Sequence, residues 1–238
     1  MAHRSTPRLR ALPALLAALL AFPFAASCTG QRKLVDPSVV VQTDGGRELG
    51  VSTEYGIVFT GATAKRGEAE FESWYGDGPS IERTVIEPVI NTSKDNRQTA
   101  SDVALLFTGE IDIEAPEVSI GFKEPYDGEM LEVMGRRGQR RWSPLARVRT
   151  DPRVFGLLLE IPSGFPDDPD QVGAGVFRPL GDRERELVGL VVGKVQLQRG
   201  NGLRRYLAVA GPTELWKLAA YRRDLLRAKP FVYREDIL

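Results

Sequence analysis

At 238 residues the chain is long enough for one or two domains with a buried core. Its 32 basic and 32 acidic side chains balance, which argues against nucleic acid as a partner. One histidine (His3) and one cysteine (Cys28) are too few for a zinc site, so no metal and no cofactor is expected.

Arg4, Arg8 and Arg10 precede an apolar run from Ala11 to Ala26 that is too short and too rich in alanine for a membrane span. Residues 1–27 read as an export signal. The end of that segment, Ala25-Ala26-Ser27-Cys28, resembles a bacterial lipobox, whose cysteine is acylated and becomes the new N-terminus; ordinary cleavage after Ser27 is the alternative. A lone exposed thiol at the start of an exported protein has no other explanation, which favours lipid on Cys28. More than one acyl chain anchors stably. The expected location is a bacterial membrane, with Thr29 after the cysteine favouring the outer membrane, facing the periplasm or the surface.

Residues 28–44 are polar, contain Pro37 and carry one apolar patch at Val39-Val40-Val41, so they read as a tether running into a first strand. Over residues 45–128, short alternating segments such as Tyr55 to Phe59, Glu68 to Trp74, Thr84 to Val89 and Val103 to Phe107 are separated by turn-forming clusters. A second strand-rich block covers residues 129–210, interrupted by the proline-rich stretch Ile161 to Pro169. The period then changes. Pro212 and Thr213 sit at a helix start, and Leu215, Leu218, Ala219, Leu225 and Leu226 recur at helical spacing within residues 211–238.

Three short segments carry the functional reading. Asp170-Gln171-Val172-Gly173-Ala174-Gly175-Val176-Phe177, followed by Leu187-Val188-Gly189-Leu190-Val191-Val192-Gly193, resembles the nucleophile loop and next strand of trypsin-like serine proteases, with Val172 at the serine position. Val58-Phe59-Thr60-Gly61-Ala62-Thr63-Ala64 resembles that family's general-base segment, with Thr63 in place of histidine. Ser101-Asp102-Val103-Ala104-Leu105-Leu106 resembles the strand of the orienting aspartate, which survives as Asp102. Glu129 to Gly135 matches the strand that opens the family's second barrel. The resemblance implies an all-β fold of two packed six-stranded antiparallel barrels with a C-terminal α-helix.

The same resemblance implies a degenerate triad at Thr63, Asp102 and Val172. Valine has no lone pair with which to attack, and a threonine hydroxyl cannot accept a proton as imidazole does. His3 lies in the export signal and cannot substitute. Asp170 stands at the oxyanion-hole position, where a side chain restricts the backbone and a carboxylate repels developing negative charge. Gln171 replaces the buried aspartate that organises this loop in many family members. Ser163, Ser143 and Thr60 supply hydroxyls with no base visible in the sequence.

Other clusters have ordinary readings. Asp167, Asp168 and Asp170 read as a solvated acidic turn, and Arg136, Arg137, Arg140 and Arg141 around Gly138 read as a solvated hairpin tip. Glu68, Glu70 and Glu72 read as the wet face of an edge strand, and Trp74-Tyr75 as barrel packing. Three functions stay open. The first is an envelope lipoprotein that binds a protein or peptide partner by strand addition along Leu190, Val191, Val192 and Gly193. The second is a residual serine-type hydrolase with altered catalytic residues, and the third an unrelated all-β structural lipoprotein.

Overall fold

The computed structural model describes residues 36–60, 67–75, 78–86, 89–90, 103–105, 113–138, 140–151, 157–161, 165, 171–181 and 184–228. The first sheet contains β1 (Ser38–Thr43), β2 (Gly46–Thr53), β3 (Gly56–Thr60), β4 (Gly67–Tyr75), β5 (Gly78–Ile86), β6 (Val89–Ile90) and β7 (Val103–Leu105). It is antiparallel, in the order β5-β4-β1-β2-β3-β7-β6. The tether expected over residues 28–44 therefore ends earlier, because Ser38–Thr43 is the strand on which β2 and β4 both pair.

Three consecutive valines reach a strand centre for a physical reason: both faces of that strand are covered. Val39 and Val41 pack with Ile57, Phe59, Ala69 and Phe71 on one face of the sheet. Val40 and Leu49 point the other way, into the core of the second block. Val51 and Val58 join a third cluster on that side. Each such side chain contributes roughly 1.5–3 kcal/mol by leaving water.

The second block holds β8 (Met130–Arg137), β9 (Arg140–Trp142), β10 (Leu145–Arg149), β11 (Leu157–Glu160), β12 (Gly175–Pro179), β13 (Arg185–Arg199) and β14 (Gly202–Ala210). Pairing runs β10-β11-β14-β13-β12-β8, and β10 pairs back onto β8 from Leu145↔Glu132 to Arg147↔Met130. Six strands thus close into an antiparallel barrel, with β9 as an outside strand on β8. Leu131, Val133, Ala146, Val148, Leu157, Leu159, Val176, Val188, Leu207 and Val209 fill its interior. Alternation puts Met134, Phe177, Leu187, Leu190 and Ala210 on the other side, against Val51, Val58 and the helix.

The connector of residues 113–128 joins the two sheets. Val118 N–H donates to Ser52 O at 3.1 Å, while Leu187 exchanges hydrogen bonds with Ser119 and Gly121 at 2.9 and 2.8 Å. Helix α1 (Pro212–Ala228) follows β14 and buries Leu215, Leu218 and Ala219. Its cap is Gly211, one residue before the expected Pro212. Glu214 reaches back to Gly211 N–H at 3.1 Å, and Glu124 of the connector accepts from Thr213 N–H at 3.1 Å in place of the side chain glycine lacks. Pro212 then occupies the first helical position, where no N–H is needed.

Candidate functional site

Val172 sits on a tight turn between the two sheets. Ala174 N–H donates to Gln171 O at 3.1 Å, closing the turn. Gly173 within it has φ +85, a backbone region that glycine enters freely and other residues rarely do. A Cβ at this position would lie 1.7 Å from Leu49 O. Leu49 N–H donates to Val172 O at 2.9 Å, so β2 is stitched directly to the loop. Gly173 N–H donates to Val191 O at 2.7 Å and Val191 N–H to Ala174 O at 2.9 Å, which fixes the other side of the loop to β13. The Val172 side chain is half-buried.

Gln171 is buried, and neither its amide nitrogen nor its amide oxygen has a protein hydrogen-bond partner among the described residues. Thr63, Asp102, Asp170 and Cys28 lie outside the described residues, as do Asp167, Asp168 and Ser163. The strands beside two of them are described. Thr60, three positions before Thr63, pairs with Val103, which directly follows Asp102.

The strand expected to receive a peptide needs a correction in register. Leu190 is paired on both sides, with Gly175 and with Ala210, and Val191 spends both its N–H and its C=O on the loop. Neither offers a free edge. From Val192 to Arg199, β13 has β14 on one side and no strand on the other among the described residues. A bulge between Val191 and Gly193 marks the change, and a Cβ built on Gly193 meets nothing within 4 Å.

No local pattern in the sequence points to a carboxylate beside Thr60, but Glu48 of β2 is there. It is 2% exposed, and its Oε2 accepts from both Thr60 N–H (3.1 Å) and Thr60 Oγ1–H. Its Oε1 is buried without a hydrogen-bond partner among the described residues. Burial pushes the Glu48 carboxyl up to about 7, against the pull of the two Thr60 hydrogen bonds. A small void of about 10 Å³ on the barrel side of β2 is lined by Val40, Arg47, Glu48, Leu49 and Arg136, while the Glu48 side chain itself shares the opposite face with Val41. The residues come from β2 and β3, so only the strand register could have joined them.

Arg136 is likewise not the solvated hairpin residue its sequence context suggested. It is buried, ion-paired to Asp36 ahead of β1, and its guanidinium lies 5.3 Å from the centre of the half-buried Trp74 ring. Arg140 is exposed, and Arg141 comes within 4.0 Å of Glu132. Glu68, Glu70 and Glu72 are on β4, which is not an edge strand but lies between β1 and β5, with Glu70 paired to Arg83 at 2.6 Å. Ser143 is exposed on the short turn between β9 and β10. Among the described residues, no group of three or more His, Cys, Asp or Glu side chains is placed to hold a metal ion.

No family model and no curated protein matches the chain. Solved structures do. The serine protease of a human pathogenic astrovirus is 14% identical over 76% of this chain and 94% of its own, with a TM-score of 0.48. The Rv3671c protease in its inactive form is 14% identical over 79% of this chain and 89% of its own, with a TM-score of 0.51. The latter likeness, together with the closed barrel and the C-terminal helix, defines the class: the chain has the two-barrel fold of chymotrypsin-like serine proteases. At 14% identity the likeness extends to the fold and not to the chemistry.

Proposed function

We propose that this protein is a lipid-anchored envelope protein that uses a chymotrypsin-like fold to bind an extended protein or peptide segment without cleaving it. The observation that carries the reading is Val172. The turn that by sequence resemblance matches the nucleophile loop of such proteases is held from both sides, by Leu49 and by Val191, and carries an alkyl side chain at Val172. Without a hydroxyl or thiol there is no group to form a covalent intermediate.

Described threonine hydroxyls meet carboxylates at Thr60–Glu48, where both residues are 2% exposed, and on the surface at Thr150–Asp127 and Thr213–Glu124; no histidine stands beside any of them, which weighs against the hydrolase reading. For binding, the added strand is placed along β13 at Val192 and Gly193, where among the described residues no strand pairs on the side away from β14. Lipid on Cys28 would hold that edge at a membrane surface.

The test uses a library of extended peptides and fluorescence polarisation. A peptide that binds should remain intact after prolonged incubation and lose at least about tenfold in affinity when alternate amides are N-methylated, since a main-chain hydrogen bond is worth about 1 kcal/mol and several are lost. Cleavage of the bound peptide, or binding indifferent to N-methylation, would overturn the proposal. Metabolic labelling with an alkyne fatty acid should mark the wild type and leave Cys28→Ala unmarked.

A further inference from the structure

The arginine-rich hairpin of β8 and β9 has a place in the fold that the binding proposal does not use. Its register puts Arg136 opposite Arg141 and Arg137 opposite Arg140, so two like-charged pairs stand side by side across one short ribbon. Like charges directly opposite on paired strands destabilise a hairpin unless anions offset them. The inner pair has protein anions. Arg136 is ion-paired to Asp36, and Arg141 comes within 4.0 Å of Glu132, which Arg185 also meets at 3.3 Å. The outer pair, Arg137 and Arg140, is exposed beside Gly138, whose φ of +54 turns the chain. Both arginines share the face of Trp142, which packs on the barrel core against Phe165 at 5.1 Å, and they continue that face past the end of the core. Exposed Arg47 of β2 lines the same small void as Arg136 and adds a third cation at the base of the hairpin.

The place where the chain enters the fold decides the partner. Asp36, held by Arg136, is eight residues from Cys28, a separation that extended chain spans in at most about 29 Å. With lipid on Cys28, the reading on which this inference rests, the hairpin is tied close to a bilayer.

We infer that the hairpin of β8 and β9 is a second membrane contact: Arg137, Arg140 and Arg47 bind the phosphate headgroups of an anionic bilayer beside the acyl anchor. A guanidinium presents a planar fork of donors to phosphate oxygens and keeps its charge at any physiological pH. Each arginine near an anionic surface strengthens binding by about fivefold. Three would hold a free protein weakly, but the covalent link to the anchor makes the headgroup contact intramolecular. Two contacts, one acyl and one cationic, fix the orientation of the fold at the surface where a single anchor leaves it free to turn.

The test reconstitutes the acylated protein into vesicles, with a fluorophore on Ser143→Cys in the exposed turn after β9 and a nitroxide on the headgroup of part of the lipid. Cys28 is the only cysteine of the chain, so once it is acylated the new thiol alone takes the label. The protein should float both with phosphatidylcholine vesicles and with vesicles that also contain phosphatidylglycerol. Quenching should be strong only in the anionic vesicles and should fall back in high salt. Arg137→Glu combined with Arg140→Glu should lower the ratio of docked to undocked protein by at least about tenfold, and the double lysine variant, which keeps the charge, should retain docking. Equal quenching in the two kinds of vesicle, equal quenching in wild type and the glutamate variant, or the same loss in the lysine and glutamate variants would each overturn the inference. Failure to float with phosphatidylcholine vesicles would instead overturn the anchor beneath it, a result read before any quenching.

Discussion

The barrel and the first sheet bury similar apolar side chains by different means. In the barrel the ring of six strands closes on itself through β10 and β8, and the interior is filled from all six. The first sheet has seven strands in a row, and no pairing among the described residues joins β5 to β6. Its central strands gain their stability from burial on both faces instead, one in their own core and one against the barrel. The first sheet therefore depends on the seam, and the seam is where Val172, Gly173 and Leu49 meet.

If that dependence is real, the largest loss should come from filling the seam rather than emptying a core. Gly173→Ala needs a positive φ and brings its Cβ to 1.7 Å from Leu49 O. We expect a loss of about 4 kcal/mol or more in urea unfolding. A change under about 1 kcal/mol would mean that β2 does not press on the turn as described.

Core truncations separate the two regions next. Phe71→Ala in the first sheet and Leu159→Ala in the barrel, each 0% exposed, should each cost about 3–5 kcal/mol. Because two of the apolar clusters contain residues of both sheets, both variants should shift a single unfolding transition. Two transitions, with each variant moving only its own, would separate what the seam is held to join.

Acidity should act on the first sheet more than on the barrel. The folded-state value of Glu48, about 7, lies above its ordinary 4.5, so the folded state holds the proton more tightly than the unfolded chain. Stability should then be highest, as far as Glu48 is concerned, below about pH 4.5 and fall as pH rises to about 7, by about 3 kcal/mol in all. The difference between wild type and Glu48→Gln, followed by urea unfolding from pH 4.5 to 8, isolates this contribution. A difference that does not change with pH would refute it. The smallest effect belongs to the helix start, where Glu124→Ala removes the acceptor for Thr213 and should cost about 1 kcal/mol without altering the pH profile.

What the sequence made legible follows the same division. Alternation in the barrel exposes its strands: Glu129 to Gly135 opens β8, Leu187 to Gly193 lies within β13, and the helical spacing of Leu215, Leu218 and Ala219 marks α1. Strands buried on both faces lose that alternation. Val39-Val40-Val41 read as an apolar patch in a tether, and β2 gave no clear strand signal because Leu49 and Val51 are its only large apolar residues. The turn around Val172 was readable because its glycine and its neighbours are local in sequence. The Glu48–Thr60 pair and the Asp36–Arg136 pair were not, since each is set by register between segments with no local pattern linking them. The same blindness put Leu190 and Val191 at a free edge, when hydrogen bonds to Gly173 and Ala174 occupy Val191 and pairing on both sides occupies Leu190.

The central proposal, that the Val172 turn stands at the nucleophile position of a protease fold and leaves it without a nucleophile, is tested most directly by exposing the purified protein to an alkyl fluorophosphonate and measuring its intact mass. The account predicts an unmodified protein at a probe excess and time that fully label an active protease of this fold. A single stoichiometric adduct, abolished by substituting one hydroxyl-bearing residue, would contradict it.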